Sequence, residues 1–223
     1  MRSERGWRGL YAVTPDTADT DALAKAVSDC LEGGAAMVQY RAKTASPGLA
    51  LVQARRLVQL CRARGVPLIV NDSVALALAC GADGVHVGRD DAGVREARIA
   101  LPHGIVGASC YADVESARRA REEGADYVAV GSVFASATKP AAPRAPLALI
   151  GQARAASGLP VVAIGGIDVA NAARAIAAGA DMVAVISALF DAPDIRAAAR
   201  GFALLFTDPS RGDPDVRAQP RAV

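Results

Sequence analysis

The sequence predicts an α/β chain folded as a single-domain (β/α)8 TIM barrel, with eight parallel strands. Two observations carry that reading. Three segments echo one another: GADGVHVG at 81–88, GADYVAVG at 124–131 and GADMVAVI at 179–186. In each, an alanine-rich helical pattern stops at Gly, the usual left-handed helix cap, and a short β-branched run follows. Eight such apolar runs alternate with helical stretches over 223 residues, and single barrels commonly take roughly 200 to 250 residues.

Strands are expected at GLYAVT (9–14), MVQYR (37–41), PLIVN (67–71), GVHVG (84–88), IVGAS (105–109), YVAVGSV (127–133), VVAIGG (161–166) and MVAVIS (182–187). Each is a near-continuous apolar run, as befits strands covered on both faces, which lose polar alternation. Helical stretches separate them: TDALAKAVSDCLEGG (20–34), PGLALVQARRLVQLCRARG (47–65), DVESARRAREEG (113–124) and DVANAARAIAAG (168–179). A doubly wound open sheet alternates in the same way. Eight units fit the length without remainder, which favours the closed barrel. The barrel is expected over 1–207. DPSRGDPDVRAQPRAV (208–223) is too poor in apolar residues to offset ordering and reads as a disordered tail.

Composition narrows the function. Hydrophobic residues make up 52% and aromatics 4%, so the core is built from Ala, Val, Leu and Ile. A formal charge of +2 argues against a nucleic-acid surface or a polybasic membrane patch. Cys30, Cys61, Cys80 and Cys110 form no CxxC pair and have no His at metal-ligand spacing, which points to buried, reduced thiols. The start, MRSERGWRGLYAV, has no apolar segment suited to a signal peptide or membrane span. A soluble cytoplasmic protein is therefore expected. The sequence carries no signal for an oligomeric state. Only three of the 25 basic residues are lysine: Lys25, Lys43 and Lys139. Lys25 belongs to a helix; the other two follow strands.

In such barrels chemistry sits at the C-terminal ends of the strands, and there the chain is unusually polar. Gln39, Arg41 and Lys43 stand around the second strand, Asn71 and Asp72 after the third, and Asp90 and Asp91 after the fourth. Ser109 ends the fifth, Ser136, Thr138 and Lys139 follow the sixth, Gly165 and Gly166 the seventh, and Ser187 the eighth. Asp72 and Asp91 become neighbours when strands three and four lie side by side, and paired carboxylates suit a magnesium ion. They could instead cap the helices that follow. Arg41, Lys43 and Lys139 on the same rim favour a diphosphate–magnesium pocket. Gly165-Gly166 before a helix offers backbone N–H groups to a phosphate, although tight packing would explain the glycines almost as well. The hydroxyls and cation of SATK suit a second anion. His86, inside a strand, reads as a hydrogen-bonded interior residue and His103 as solvated. No Ser/His/Asp or Cys/His arrangement emerges.

Seven pieces, YAVTPD, VQYRAK, VNDSVALALACGADGVHVGRDD, GAS, ADYVAVGSVFASATKP, VVAIGGI and AVISALF, occur in the order and spacing of the thiamine phosphate synthase family. The chain resembles that family from Tyr11 to about Phe206. The resemblance implies a magnesium-dependent transferase that joins hydroxymethylpyrimidine diphosphate to thiazole phosphate and releases pyrophosphate. It implies that Gln39, Tyr40, Arg41, Lys43, Asn71 and Lys139 hold the pyrimidine diphosphate and that Ser109 faces the pyrimidine. Asp72 and Asp91 would bind Mg2+, and Ser136, Thr138, Gly166, Ile186 and Ser187 the thiazole phosphate. Arg41, Lys43, Ser109 and Lys139 are the catalytic candidates. The chain departs from the family pattern at Ser136 (usually Thr), Ala135 (Pro), Arg89 (Gln) and Ala42 (an acid). Tyr111 stands where a related barrel, thiazole tautomerase, uses histidine. That tautomerase and a non-catalytic barrel binding thiamine intermediates are the alternatives.

Overall fold

Every glycine stop in the three echoed segments ends a helix and delivers the chain to a strand. The computed structural model describes residues 7–88, 93–135 and 144–207. In chain order the elements are β1 (Gly9–Val13), α1 (Thr20–Glu32), β2 (Ala35–Tyr40), α2 (Pro47–Ala63), β3 (Leu68–Asn71), α3 (Val74–Cys80), β4 (Gly84–Val87), α4 (Val94–Ala100) and β5 (Ile105–Tyr111). There follow α5 (Val114–Glu123), β6 (Tyr127–Gly131), α6 (Ala148–Ser157), β7 (Val161–Ile164), α7 (Val169–Ala177), β8 (Met182–Val185), α8 (Ser187–Phe190) and α9 (Ile195–Leu204). The eight strands are parallel and pair in sequence order, and β8 returns to β1 through registers such as Leu10↔Val183, so the barrel is closed. An open sheet is ruled out.

The expected strands are all present, with shifted ends. Six end earlier than the apolar pattern: β1 at Val13, β2 at Tyr40, β4 at Val87, β6 at Gly131, β7 at Ile164 and β8 at Val185. Ser187 accordingly opens the short helix α8 and is no part of a strand. The reason at β7 is conformational, since Gly165 and Gly166 have φ of 102° and 63°, the left-handed region that no strand uses. The tail expectation, 208–223, lies outside the described residues.

Alternation along each strand divides the core in two. Tyr11, Val13, Met37, Ile69, Ile105, Tyr127, Val162 and Met182 fill the barrel interior. Their neighbours Leu10, Ala12, Val38, Val70, Val85 and Val128 face the helices. Small residues let the layers close: a Cβ on Gly107 would stand 2.1 Å from Cζ of Tyr127, so that glycine makes room for the phenol ring. At the N-terminal end the aspartate of each echoed segment is a latch. Asp83 Oδ2 accepts the Leu68 N–H (2.9 Å), Asp126 Oδ2 that of Val106 (2.8 Å) and Asp181 Oδ2 that of Val161 (2.8 Å). Each latch ties an even-numbered strand to the odd-numbered strand before it, which is why Asp recurs in the repeat. Two of the three carboxylates also hold an arginine, Arg98 on Asp126 and Arg154 on Asp181.

Candidate active site

The opposite rim collects the polar residues singled out in the sequence. Because the strands are parallel, Gln39, Arg41 and Lys43 after β2, Asn71 and Asp72 after β3, Ser109 on β5, Gly166 after β7 and Ile186 and Ser187 after β8 share the C-terminal end of the barrel. Arg89, Asp90, Asp91, Ser136, Thr138 and Lys139 lie outside the described residues.

Asp16, in the β1–α1 loop, organises the first part of the rim. Its carboxylate accepts the backbone N–H of Lys43 and of Thr44 and receives Arg41 Nη1 at 3.1 Å. Burial alone would push this carboxyl up, but the Thr44 and Lys43 N–H groups, the Arg41 charge and the Thr44 hydroxyl together hold it below the ordinary carboxylate range. Beneath it, buried Thr14 accepts the Arg41 N–H at 2.9 Å and locks the end of β2 to the end of β1. Asp16 is a functional candidate that the residue-by-residue sequence reading missed. Its only signal was its place in YAVTPD, 25 residues from the arginine it holds.

Asp72 sits at the end of β3 with φ 65°. Aspartate tolerates this left-handed geometry better than most residues. Its N–H bonds the His86 carbonyl at 2.8 Å, tying the end of β3 to β4. The cap of α3 is Ser73, whose hydroxyl accepts the Leu76 N–H at 3.1 Å. Ser73, and not Asp72, is therefore the N-cap of α3. Asp72 Oδ2 faces Lys43 Nζ at 3.5 Å. A cavity of about 320 Å³ opens here, lined by Lys43, Asn71, Asp72 and Ser73 with Tyr40, Ala42 and Leu76. Tyr40 forms its wall, with its hydroxyl turned to α2 and donated to Gln53 Oε1 at 2.7 Å.

Inside the barrel the residues of the mouth are joined from below. Gln39 Nε2 donates to Tyr11 Oη (2.9 Å), Tyr11 Oη meets Tyr127 Oη (2.8 Å), Tyr127 Oη meets His86 Nδ1 (3.0 Å) and His86 Nε2 meets Ser109 Oγ (2.8 Å). His86 is thus the hydrogen-bonded interior residue that its strand position suggested. Its ring also stacks on Tyr127 at 5.5 Å between centroids. Burial raises both phenols far above the ordinary tyrosine range, although for Tyr11 the bonds from Tyr127 and Gln39 partly oppose it.

The glycine pair after β7 is required by packing as well as by backbone angle. A Cβ on Gly165 would lie 2.1 Å from Ser132 Oγ, and one on Gly166 2.0 Å from the Ala135 carbonyl. The chain after β6 runs across this pair, with Val133 N–H on the Ile164 carbonyl and Phe134 N–H on that of Gly165, each at 3.0 Å. Asp168 and Asn171 form a capping box at the start of α7 and use N–H groups of that helix end themselves. The donors left for an anion here are fewer than the bare sequence suggested.

Three observations concern ligands and compartment. Among the described residues no group of three or more His, Cys, Asp or Glu side chains is placed to hold a metal ion; the expected pair needs Asp91. No described helix is long and apolar enough to cross a membrane. All four cysteines are free and buried.

A family model described as thiamine monophosphate synthase matches residues 10–189. Thiamine-phosphate synthase of Thiobacillus denitrificans is 57% identical over 199 residues, covering 89% of this chain and 94% of its own. The Bordetella avium protein of the same name is 54% identical, covering 92% and 98%. Among solved structures, thiamine phosphate pyrophosphorylase from Pyrococcus furiosus superposes with a TM-score of 0.82 at 35% identity, over 92% of this chain and 97% of its own. A 3-hexulose-6-phosphate synthase with a TM-score of 0.68 is 19% identical and shares the barrel alone. With the family model spanning residues 10–189 and relatives of more than half identity covering about nine tenths of it, the chain belongs to the thiamine monophosphate synthase family.

Proposed function

We propose that the rim described above transfers hydroxymethylpyrimidine from its diphosphate to thiazole phosphate, giving thiamine phosphate and pyrophosphate, with Mg2+ as cofactor. One observation carries the assignment of residues: Lys43 and Asp72 form an open, oppositely charged pair in a cavity at the mouth, beside an arginine held by Asp16. The N-cap of α3 is Ser73, and a half-exposed pair of this kind contributes little to stability.

The Asp72 carboxylate is a hard oxygen donor of the kind magnesium takes, and the ion leaves positions for phosphate oxygens. Asp91 would be the second protein ligand. When bound, the ion supplies positive charge to the departing pyrophosphate. Arg41 and Lys43 add fixed positive charge to the same anion, with Asn71 donating beside them. Lys139, which follows β6 in the sequence, would complete the clamp. Ser109 orients the pyrimidine, while Gly166, Ile186 and Ser187, with Ser136 and Thr138, receive the thiazole phosphate.

The bond broken joins the pyrimidine methylene to the diphosphate oxygen; the bond formed joins that methylene to the thiazole nitrogen. Electron release from the pyrimidine amino group assists departure, so the protein needs no nucleophile. Its work is electrostatic stabilisation of the leaving group and exclusion of water. Four free, buried thiols fit a reducing, cytoplasmic setting.

Mixing both substrates with and without magnesium and following pyrophosphate release tests the reading. Turnover that depends on both substrates and on the metal is expected. Isomerisation of the thiazole alone, or binding of both ligands without turnover, would refute it.

A further inference from the structure

Five polar side chains cross the barrel interior in one chain of hydrogen bonds whose two ends, Gln39 and Ser109, lie at the mouth. Tyr11 and Tyr127 are 1% and 0% exposed and His86 7%, so all three are buried away from bulk solvent. Burial keeps both phenols protonated across the working pH range. Each phenol therefore has a single proton to give, and the order of giving is fixed from one end.

Gln39 Nε2 can only donate, so Tyr11 Oη accepts there and passes its own proton to Tyr127. Tyr127 has then accepted from Tyr11 and gives its proton to His86 Nδ1. A neutral imidazole that accepts at Nδ1 carries its proton on Nε2, which donates to Ser109 Oγ. With that lone pair filled, the serine hydroxyl proton is turned outward. A proton on Nδ1 would reverse the Tyr127 hydroxyl and strand the Tyr11 proton without an acceptor among the described residues, a costly arrangement inside a barrel.

We propose that Tyr127 is a positioning residue for substrate recognition: through His86 it fixes the Nε2–H tautomer and makes Ser109 a hydrogen-bond donor toward the pyrimidine. The consequence for specificity rests on the proposed function; the tautomer does not. Gln39, having donated an N–H inward, retains its carbonyl oxygen as an acceptor. Opposite polarities at the two ends match a ring that carries both a donating amino group and an accepting ring nitrogen. Gly107 belongs to the same device, because a side chain there would displace the Tyr127 hydroxyl.

The two tyrosines provide the test. Tyr127→Phe removes the donor to His86, whereas Tyr11→Phe leaves Tyr127 able to give its proton only to His86. Nitrogen NMR of the ligand-free protein with labelled histidine should show His86 protonated on Nε2 in the wild type and in Tyr11→Phe, but a mixture of tautomers in Tyr127→Phe. In the pyrophosphate assay Tyr127→Phe should lower kcat/KM about tenfold, the worth of one buried hydrogen bond, and Tyr11→Phe by less. A wild-type His86 protonated on Nδ1, as a chain running the other way with the Gln39 amide turned over would require, overturns the proposal. So does a Tyr127→Phe protein that keeps a single tautomer, or equal losses of kcat/KM in the two variants. The wild-type spectrum decides the tautomer even if Tyr127→Phe fails to fold. A protein with the expected spectrum but no turnover would refute the proposed function and leave the relay standing.

Discussion

Lys43 Nζ and Asp72 Oδ2 face each other at 3.5 Å across the mouth of the barrel, 29 residues apart in the chain and both partly exposed. On the proposed function the lysine would turn to a phosphate oxygen and the carboxylate to a cation when a ligand binds. Asp72→Asn keeps the preference for the left-handed backbone and removes only the charge. It should lower kcat/KM by about a hundredfold or more, the scale of losing one electrostatic contact in a catalytic site. Its melting temperature should stay near that of the wild type. A steady-state assay beside a thermal melt checks both, and parallel losses would mean that Asp72 is structural.

Asp16 should behave differently, because it organises the rim from below. Asp16→Asn is expected to raise KM for the pyrimidine diphosphate more than it lowers kcat, since Arg41 and the Lys43 backbone lose their anchor. Its pH signature has a definite sign. The folded carboxyl titrates below its unfolded value, so the stability it adds is full above the ordinary carboxylate range of about pH 4 and is lost as pH falls through the depressed value. Urea unfolding of both proteins between neutral and acidic pH should show their stability difference shrinking toward the acid end.

The latch residues at the other end should affect folding alone. Asp126 accepts the Val106 N–H and pairs with Arg98, whose other N–H groups hold the carbonyls of Leu101, Gly104 and Gly124. Asp126→Ala leaves a largely buried guanidinium without its counter-ion, at a cost of about 3 kcal/mol. Denaturant midpoints should fall while kcat/KM of the folded fraction is retained.

The thiols should be silent in the native protein. Burial, aided by nearby Asp29 and Cys61 for Cys30, Asp83 for Cys61 and Asp113 for Cys110, pushes these three up to about 12. Thiolate, the reactive form, is scarce. A chromogenic thiol reagent should titrate all four cysteines only after denaturant is added; rapid reaction of any one in the native state would contradict the buried placement.

How much of this was legible in the sequence depended on distance along the chain. The strands were visible because doubly covered strands are apolar throughout, and Asp72 and Lys43 because they follow strands in short, polar loops. Strand ends were less visible: MVAVIS runs on without a break, yet Ser187 already belongs to α8. The service of Asp16 to Arg41 was hidden, since nothing local in YAVTPD names a partner two elements away. Tyr11 and Tyr127 lie inside apolar strand runs, and their hydroxyls meet across a separation of 116 residues that no periodicity reports. For Gly165-Gly166 the sequence left packing and phosphate binding undecided; the close approach of Ser132 and Ala135 supplies the packing reason.

The aspartate latches give the barrel a division of labour that engineering can use. Its floor is riveted by carboxylates at the end away from the candidate site, while its open end bears the residues assigned to chemistry. Libraries that vary the upper loops can therefore explore new pyrimidine or thiazole analogues on a foundation that stays put.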